Sequence, residues 1–552
     1  MDKVWLRSYP PGVPAEIDPA RFASVAALFA ESCEKFAEKT AYLSMGKGIG
    51  YRQLHADAQA FAGWLQSRGV KKGDRVALMM PNVLQYPVAL FGTLLAGAVV
   101  VNCNPLYTPR ELEHQLKDSG ATTIVILENF AHTLQAVLDK TAVRNVVVTS
   151  LGEMLGVKGL IVNFVVRHVK KLVPAWRLPQ VIDFRRALAE GRRQGFGAVP
   201  LGHDDLAFLQ YTGGTTGISK GAMLTHGNIC ANVLQAHAWI QGDLEEGKEV
   251  IVTALPLYHI FALTANCLTF VLMGARNVLI ANPRDIPHFV REWAKHPVSV
   301  VTGVNTLFNA LLNNEAFRKL DFSTMKVTLG GGMAVLKATA DRWREVVGVP
   351  LIQAYGLTET SPAATINPLN LTEFNGSIGL PISSTEVSIR ADDGHEVPLG
   401  QVGEICIRGP QVMKGYWQRP DETANVLLPD GFLRTGDLGY VDANGFVYLV
   451  DRKKDMILVS GFNVFPNEVE EAVAQHPGVL EAAAIGVPDE HSGEAVKIFV
   501  VRKDPNLTAE ELIAHCRQLL TGYKVPKHVE FRADLPKTNV GKILRRALKE
   551  QG

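Results

Sequence analysis

Cysteine is scarce and dispersed. The six in 552 residues (Cys33, Cys103, Cys230, Cys267, Cys406, Cys516) form no C-x-x-C pair and lie beside no clustered histidines. That argues against a disulfide framework and a zinc site of the usual spacing, and predicts a reduced, cytoplasmic setting. Long apolar runs are missing as well: no uninterrupted stretch reaches the roughly 18 residues that span a bilayer. The N-terminal MDKVWLRSYPPGVP lacks the apolar core of a secretion signal and breaks at Pro10-Pro11. Charge excess of either sign is absent too. Lys plus Arg total 56 against 55 for Asp plus Glu, a formal +1, so no global field would recruit nucleic acid or an anionic membrane. Any anion site must be local.

What is present is ordinary for a globular enzyme, 47% apolar and 20% charged, on a chain long enough for at least two domains. From Arg75, RVALMM, a helical stretch near Val83 to Ala96, AVVVN, a charged helix at Pro109 to Lys117 and TIVIL alternate buried strands with helices. The rhythm returns in EVIVTALPL, NVLIAN and VSVVTGV. This predicts an α/β fold whose large N-terminal domain, residues 1–450, holds two related α/β halves built on parallel strands. After about Val402 the segments GEICIRG and GFVYLVDR, with turns at Pro429-Asp430-Gly431 and Asn444-Gly445, predict a small β-rich subdomain. DRKKD, residues 451–455, marks a junction, and 456–552 reads as a small α+β C-terminal domain.

One segment stands apart. GLIVNFVVRHVKKLVPAW, Gly159 to Trp176, mixes apolar residues with Arg167, His168, Lys170 and Lys171. Such a basic amphipathic helix can lie in a membrane interface, with Trp176 at the boundary, or can be a surface helix packed on the body.

The stretch YTGGTTGISKGAMLTHGN, Tyr211 to Asn228, holds the strongest chemistry. Gly213, Gly214, Gly217 and Gly221 let backbone amides converge on one point; Thr212, Thr215 and Thr216 add hydroxyl donors, and Lys220 a mobile positive charge. Polyphosphate is the natural guest. A P-loop needs its lysine directly after glycine and before Ser or Thr; here Lys220 follows Ser219 and precedes Gly221, so that reading fails.

On YTGGTTGISKG the chain resembles the adenylate-forming superfamily: acyl-CoA synthetases, firefly luciferases and peptide-synthetase adenylation domains. Further motifs follow in the family's order. QAYGLTET implies Tyr355 against adenine, Gly356, Leu357 and Thr358 along the nucleotide, and Glu359 with Thr212 as Mg²⁺ ligands. RTGDLGYV implies Asp437 on the ribose. DRKKD implies Arg452 on the nucleotide and Lys454 as hinge. PLYHIFAL implies His259 beside the acyl site, although a lone histidine is more often structural. LGGGMAV implies Gly331 and Gly332 beside adenine and substrate. LPKTNVGKILRR implies Lys542 as the adenylation lysine, and VSGFN implies Gly461 next to the pantetheine thiol. Longer strings, NPLYTPRELEHQLKDSGA and RKKDMILVSGFNVFPNEVE among them, are most similar to bacterial long-chain fatty-acid–CoA ligases.

That resemblance implies ATP, Mg²⁺, CoA and a long-chain fatty acid as the reacting set. Lys220 and the loop hydroxyls would hold the β- and γ-phosphates, Lys542 the carboxylate and α-phosphate. The small domain is expected to be mobile, turning about Lys454 between half-reactions. Peripheral attachment to the inner face of the cytoplasmic membrane and a homodimer are both compatible with it. The alternatives are a fatty acyl-AMP ligase feeding a carrier protein, and a medium-chain or aryl acid CoA ligase. A non-catalytic nucleotide-binding module is disfavoured by Lys220, Glu359, Asp437 and Lys542 occurring together.

Overall fold

Residues 3–212, 219–489, 491–538 and 540–550 are described by a computed structural model. Local sequence dictates the first half. Thr123–Leu127, four β-branched residues ending in a leucine, is buried at every position, which only a strand covered on both faces permits. Thr108 and Glu111 form a capping box ahead of Pro109–Ser119, and Gly120 closes that helix with left-handed backbone. The resulting seven-stranded sheet is parallel from Val181–Asp183 through Asn145–Thr149, Thr123–Leu127, Arg75–Met79 and Val99–Asn102 to Leu206–Thr212. Only its last strand, Lys220–Thr225, runs antiparallel.

The second half is a nine-stranded sheet whose parallel centre holds Val327–Gly330, Val300–Gly303, Val250–Thr253 and Arg276–Leu279. The two expected α/β halves are therefore there, with one rearrangement: the early strand Thr40–Ser44 crosses over and pairs in parallel with Arg276–Leu279 of the later half. The helix Gln85–Leu95, buried at all 11 positions, lies near the seam. Just before it, the Asn82 side-chain amide donates to Thr253 and Leu255 carbonyls across the seam, and the Tyr86 hydroxyl donates to Asn102 and the Leu257 carbonyl. Gln210, on the strand that enters the glycine-rich loop, donates to the Tyr258 carbonyl at 2.8 Å and so fixes the segment carrying His259 against that strand.

A four-stranded antiparallel sheet, Glu386–Arg390, Gly403–Arg408, Leu433–Val441 and Val447–Arg452, forms the β-rich subdomain. Its last strand reaches Arg452, so Asp451 and Arg452 lie in the sheet and the connection to the small domain begins after them.

The small domain alternates its central strand Gly493–Arg502 between two cores. Val496, Ile498 and Val500 face one side with Val469, Val473 and Leu512 of its helices; Phe499 and Val501 face the other with Leu548 of the tail. It docks on the helix Asn305–Leu312, where Thr306 donates to the Gly541 carbonyl and Asn309 to that of Leu480. Among the described residues no helix is long and apolar enough to cross a membrane.

Candidate active site

The glycine-rich loop springs from a hairpin in which Thr212 and Lys220 are cross-strand partners. Gly213, Gly214, Thr215, Thr216 and Gly217 lie outside the described residues. The segment 414–417 is laid along the returning strand by Lys414 N–H to Met223 O and Trp417 N–H to Gly221 O, at 3.0 and 2.8 Å. This brings Tyr416 under Lys220, whose ammonium sits 5.2 Å from the ring centroid while bonding Glu422. The Tyr416 hydroxyl donates to Glu359 Oε1 at 2.7 Å. Burial, then Glu359 and Glu422, push the phenol's pKa upward, so it stays a donor. Lys220 and Glu359 are thus joined through one aromatic side chain.

Tyr416 and Glu422 are not picked out by the sequence motifs. The signal available is the string MKGYWQRPDETA, whose acidic residues follow an aromatic pair, but nothing in it indicates the partners across the fold. For Tyr416→Phe, loss of one charge-assisted donor worth ~1.5 kcal/mol should weaken apparent Mg²⁺–ATP affinity about tenfold. Pyrophosphate exchange titrated with Mg²⁺ checks this, with an unchanged melting temperature as control.

A second cluster surrounds Tyr355. Its hydroxyl donates to Asp437 Oδ2 at 2.7 Å, and Arg452, opposite Asp437 in strand register, holds Nε 3.6 Å from Oδ1. Burial raises the Asp437 pKa, while Arg452, Tyr355 and Lys542 pull it down. Leu357 directs its N–H back to Thr360 Oγ1 and the Pro362 carbonyl, and Thr358 opens the short helix Thr358–Thr360 that carries Glu359. Gly356 has a structural requirement of its own: a Cβ there would fall 1.8 Å from the Pro362 carbonyl oxygen.

Gly331 and Gly332 follow the strand Val327–Gly330. A Cβ on Gly331 would crowd the Phe261 ring and the Ala354 carbonyl at 3.2 Å; one on Gly332, at φ +78°, would lie 3.1 Å from Lys542 Cε. Ile260, Ala262 and Leu263 are in the core, which leaves Phe261 as the side chain of that motif bordering the glycines.

Lys542 comes from the small domain on a tight turn closed by Gly541 N–H to Thr538 O and Thr538 N–H to Lys542 O. Desolvation, then Arg452, lower its pKa to about 8, with Asp437 and Glu359 acting in the opposite direction. His259 is pushed down to about 3 by burial and by Lys542, so it is a neutral imidazole whose Nδ1 accepts from Phe261 N–H at 3.3 Å.

Two further residues follow Arg452 in the chain. Lys454, its pKa lowered first by desolvation, occupies the connection beyond Arg452. Gly461, at φ +82°, forms the exposed turn between Ile457–Val459 and Phe462–Val464, where a Cβ would meet nothing within 4 Å.

The donor set fits magnesium held jointly with phosphate. Among the described residues no three His, Cys, Asp or Glu side chains gather as a metal cage; the Glu359 carboxylate and the Thr212 hydroxyl are the hard oxygens that would hold the ion. Mg²⁺ is typically held this way, through one or two protein oxygens plus substrate phosphates.

The model of the AMP-binding enzyme family matches residues 29–417, and that of the AMP-binding enzyme C-terminal domain matches 468–542. The chain is 58% identical over 553 residues to a long-chain-fatty-acid–CoA ligase of Escherichia coli O6:H1, covering 100% of this chain and 98% of that one. It is 52% identical to the ligase of that name from Haemophilus influenzae, covering 100% and 99%. Among solved structures, o-succinylbenzoate coenzyme A synthetase from Bacillus subtilis, in complex with ATP and a magnesium ion, superposes with TM-score 0.75 at 27% identity over 95% of this chain and 99% of that one.

Proposed function

The chain belongs to the AMP-binding enzyme family, and we propose that it converts long-chain fatty acids to their CoA thioesters through an acyl adenylate. The observation that carries the reading is one juxtaposition: a lysine of the small domain, Lys542, against Gly332 of the large one and within electrostatic reach of Asp437 and Glu359. Full-length similarity to long-chain-fatty-acid–CoA ligases supplies the substrate class.

A carboxylate resists attack because its carbon is electron-rich and oxide is a poor leaving group. Adenylation removes both obstacles. The fatty carboxylate oxygen attacks the α-phosphorus of ATP, the bond to the bridging oxygen breaks, and diphosphate leaves with the electron pair. Lys542 bridges carboxylate and α-phosphate as charge develops; Lys220 exchanges Glu422 for the departing phosphates; Tyr355 and Asp437 hold adenine and ribose. Glu359 and Thr212 would hold magnesium together with the phosphates, and the ion would supply charge neutralisation there. CoA thiolate then attacks the acyl carbon and AMP leaves. For that second step the small domain turns about Lys454 to bring Gly461 to the anhydride.

Pyrophosphate release across acids of graded length, with and without CoA, tests the reading; the expected optimum is at long chains. The same assay carries a pH prediction. Lys542 loses its proton as pH rises through about 8, so kcat/KM should fall above that value. The limb should move to higher pH in kcat, because bound anions restore the lysine's charge. A flat profile up to a pH of about 9.5, well past the lysine's titration, or release equal for all acids, removes the assignment.

A further inference from the structure

Six of the thirteen exposed large hydrophobics among the described residues fall within sixteen positions, 157–172: Val157, Leu160, Ile161, Phe164, Val169 and Leu172, between 54% and 82% exposed. They lie on the helix Val157–Phe164, its wider-wound continuation Val165–Val169 and the residues just after, repeating at the three-to-four-residue spacing of one helix face. A contiguous apolar patch of this kind on a folded surface marks a docking site.

The face is held rigidly. On the inner side Gly159 crosses Gly152 so closely that a Cβ would sit 1.8 Å from the Gly152 carbonyl oxygen. Asn163 accepts from Gly152 N–H at 2.7 Å and donates to Ser150 Oγ at 2.8 Å. Arg167 pairs with the buried carboxylate of Glu128, and Asn129 donates to the Leu172 carbonyl at 2.9 Å. The helix is therefore bolted to the body by one side and presents the other as a fixed platform. Trp176, which the interfacial reading would place at the boundary, is half-buried against the core of the seven-stranded sheet.

The charges around this platform select its occupant. No Asp or Glu occurs between Glu153 and Asp183, whereas Lys158, His168, Lys170 and Lys171 stand exposed beside the apolar row. Two copies face to face would set these cations against each other. A surface with an apolar interior and anionic rim matches both features, as interfacial helices do.

We infer that residues 157–172 dock the enzyme on an anionic lipid bilayer, the apolar row entering the headgroup boundary and Lys170 and Lys171 meeting lipid phosphates. The use of such docking rests on the proposed function, since a long-chain fatty acid partitions into lipid and the platform would bring the enzyme to it; the docking itself is testable without any turnover.

The experiment is flotation of the full chain on vesicles of phosphatidylglycerol and phosphatidylethanolamine, against phosphatidylcholine alone. Alongside the wild type go Lys170→Ala/Lys171→Ala and Ile161→Asp/Phe164→Asp. Pyrophosphate exchange with decanoate, free of vesicles, verifies fold and chemistry separately. The wild type is expected to float on anionic vesicles only. Removing two lysines, at about fivefold each, should lower the partition coefficient about 25-fold. The aspartate pair should abolish flotation, and both variants should keep wild-type exchange. The inference is overturned if the wild type stays unbound, floats equally on phosphatidylcholine, or if both variants float like it. It is equally overturned by concentration-dependent self-association, lost in Ile161→Asp/Phe164→Asp, without vesicle binding. The lipid comparison on the wild type needs no variant to fold, and absent exchange in the wild type would count against the proposed function, not the docking.

Discussion

Lys542→Ala is expected to lose about 10³-fold in acyl-adenylate formation, ~4 kcal/mol of transition-state stabilisation, while still forming thioester from supplied oleoyl adenylate and CoA. The cation is the small domain's contribution to the cluster around Gly332, Asp437 and Glu359. Its partial desolvation makes each interaction with developing negative charge stronger than in water. An alanine there also removes the ammonium that helps hold His259 neutral, so the imidazole should titrate nearer its ordinary value. Rapid-quench measurement of oleoyl adenylate resolves the first step, and a separate assay with preformed adenylate the second. Equal losses in both would contradict the division of labour between Lys542 and the thiol-facing side of the small domain.

Arg545→Ala should act on architecture instead. Arg545, three residues past Lys542, donates to Glu470 through Nε and Nη2 at 2.9 and 2.8 Å and to Asp451 at 3.1 Å, and bonds Asn467 as well. Asp451 also accepts from the Asn467 backbone N–H at 2.8 Å at the start of the helix Pro466–Ala474. One guanidinium therefore ties together the end of the β-rich sheet, the first helix of the small domain and the tail that presents Lys542. Asp451 is 1% exposed and Glu470 18%, so the alanine strands two buried carboxylates, a loss of about 3–5 kcal/mol. Burial raises the Glu470 pKa, and without Arg545 it rises further. The folded variant then holds more protons than the unfolded chain, and its stability falls as pH increases through that range. Calorimetry should show the small domain's transition lowered, more in mildly alkaline than in mildly acidic buffer, with adenylation lost in parallel. An unchanged transition would mean the network is replaceable by solvent.

Much of the fold could be read from the chain because the signals were local. TIVIL could only be a doubly covered strand, and Thr508 with Glu511 forms the capping box that opens the helix Ala509–Leu519. The order of α/β, β-rich and α+β regions followed from where periodicity changed. Pairings between distant segments had no such signal. Nothing near Thr40 indicates a partner at Asn277 and Val278, since parallel pairing depends on how crossovers stack. The seam made by Asn82 and Tyr86 with 253–257 looks, in sequence, like polar residues in an apolar run.

The site divides the same way. Lysine, carboxylates, glycines and an aromatic could be picked out by chemistry and by resemblance. That Tyr416 links Lys220 to Glu359, or that Glu422 occupies Lys220, depends on residues as far as 202 positions apart meeting beside the returning strand. The 159–176 segment shows the limit most clearly. Its composition allowed either a packed or an interfacial helix, and the structure gives it one packed side, one bare side, and a tryptophan that belongs to the core.

If this chain joins fatty acyl to AMP before any thiol takes part, a single-turnover quench will show it: enzyme in excess over oleate, with ATP, Mg²⁺ and no CoA. The predicted result is one equivalent each of oleoyl adenylate and diphosphate, discharged to oleoyl-CoA and AMP when CoA is added. Formation of ADP and phosphate, or no nucleotide cleavage until CoA is present, would contradict it.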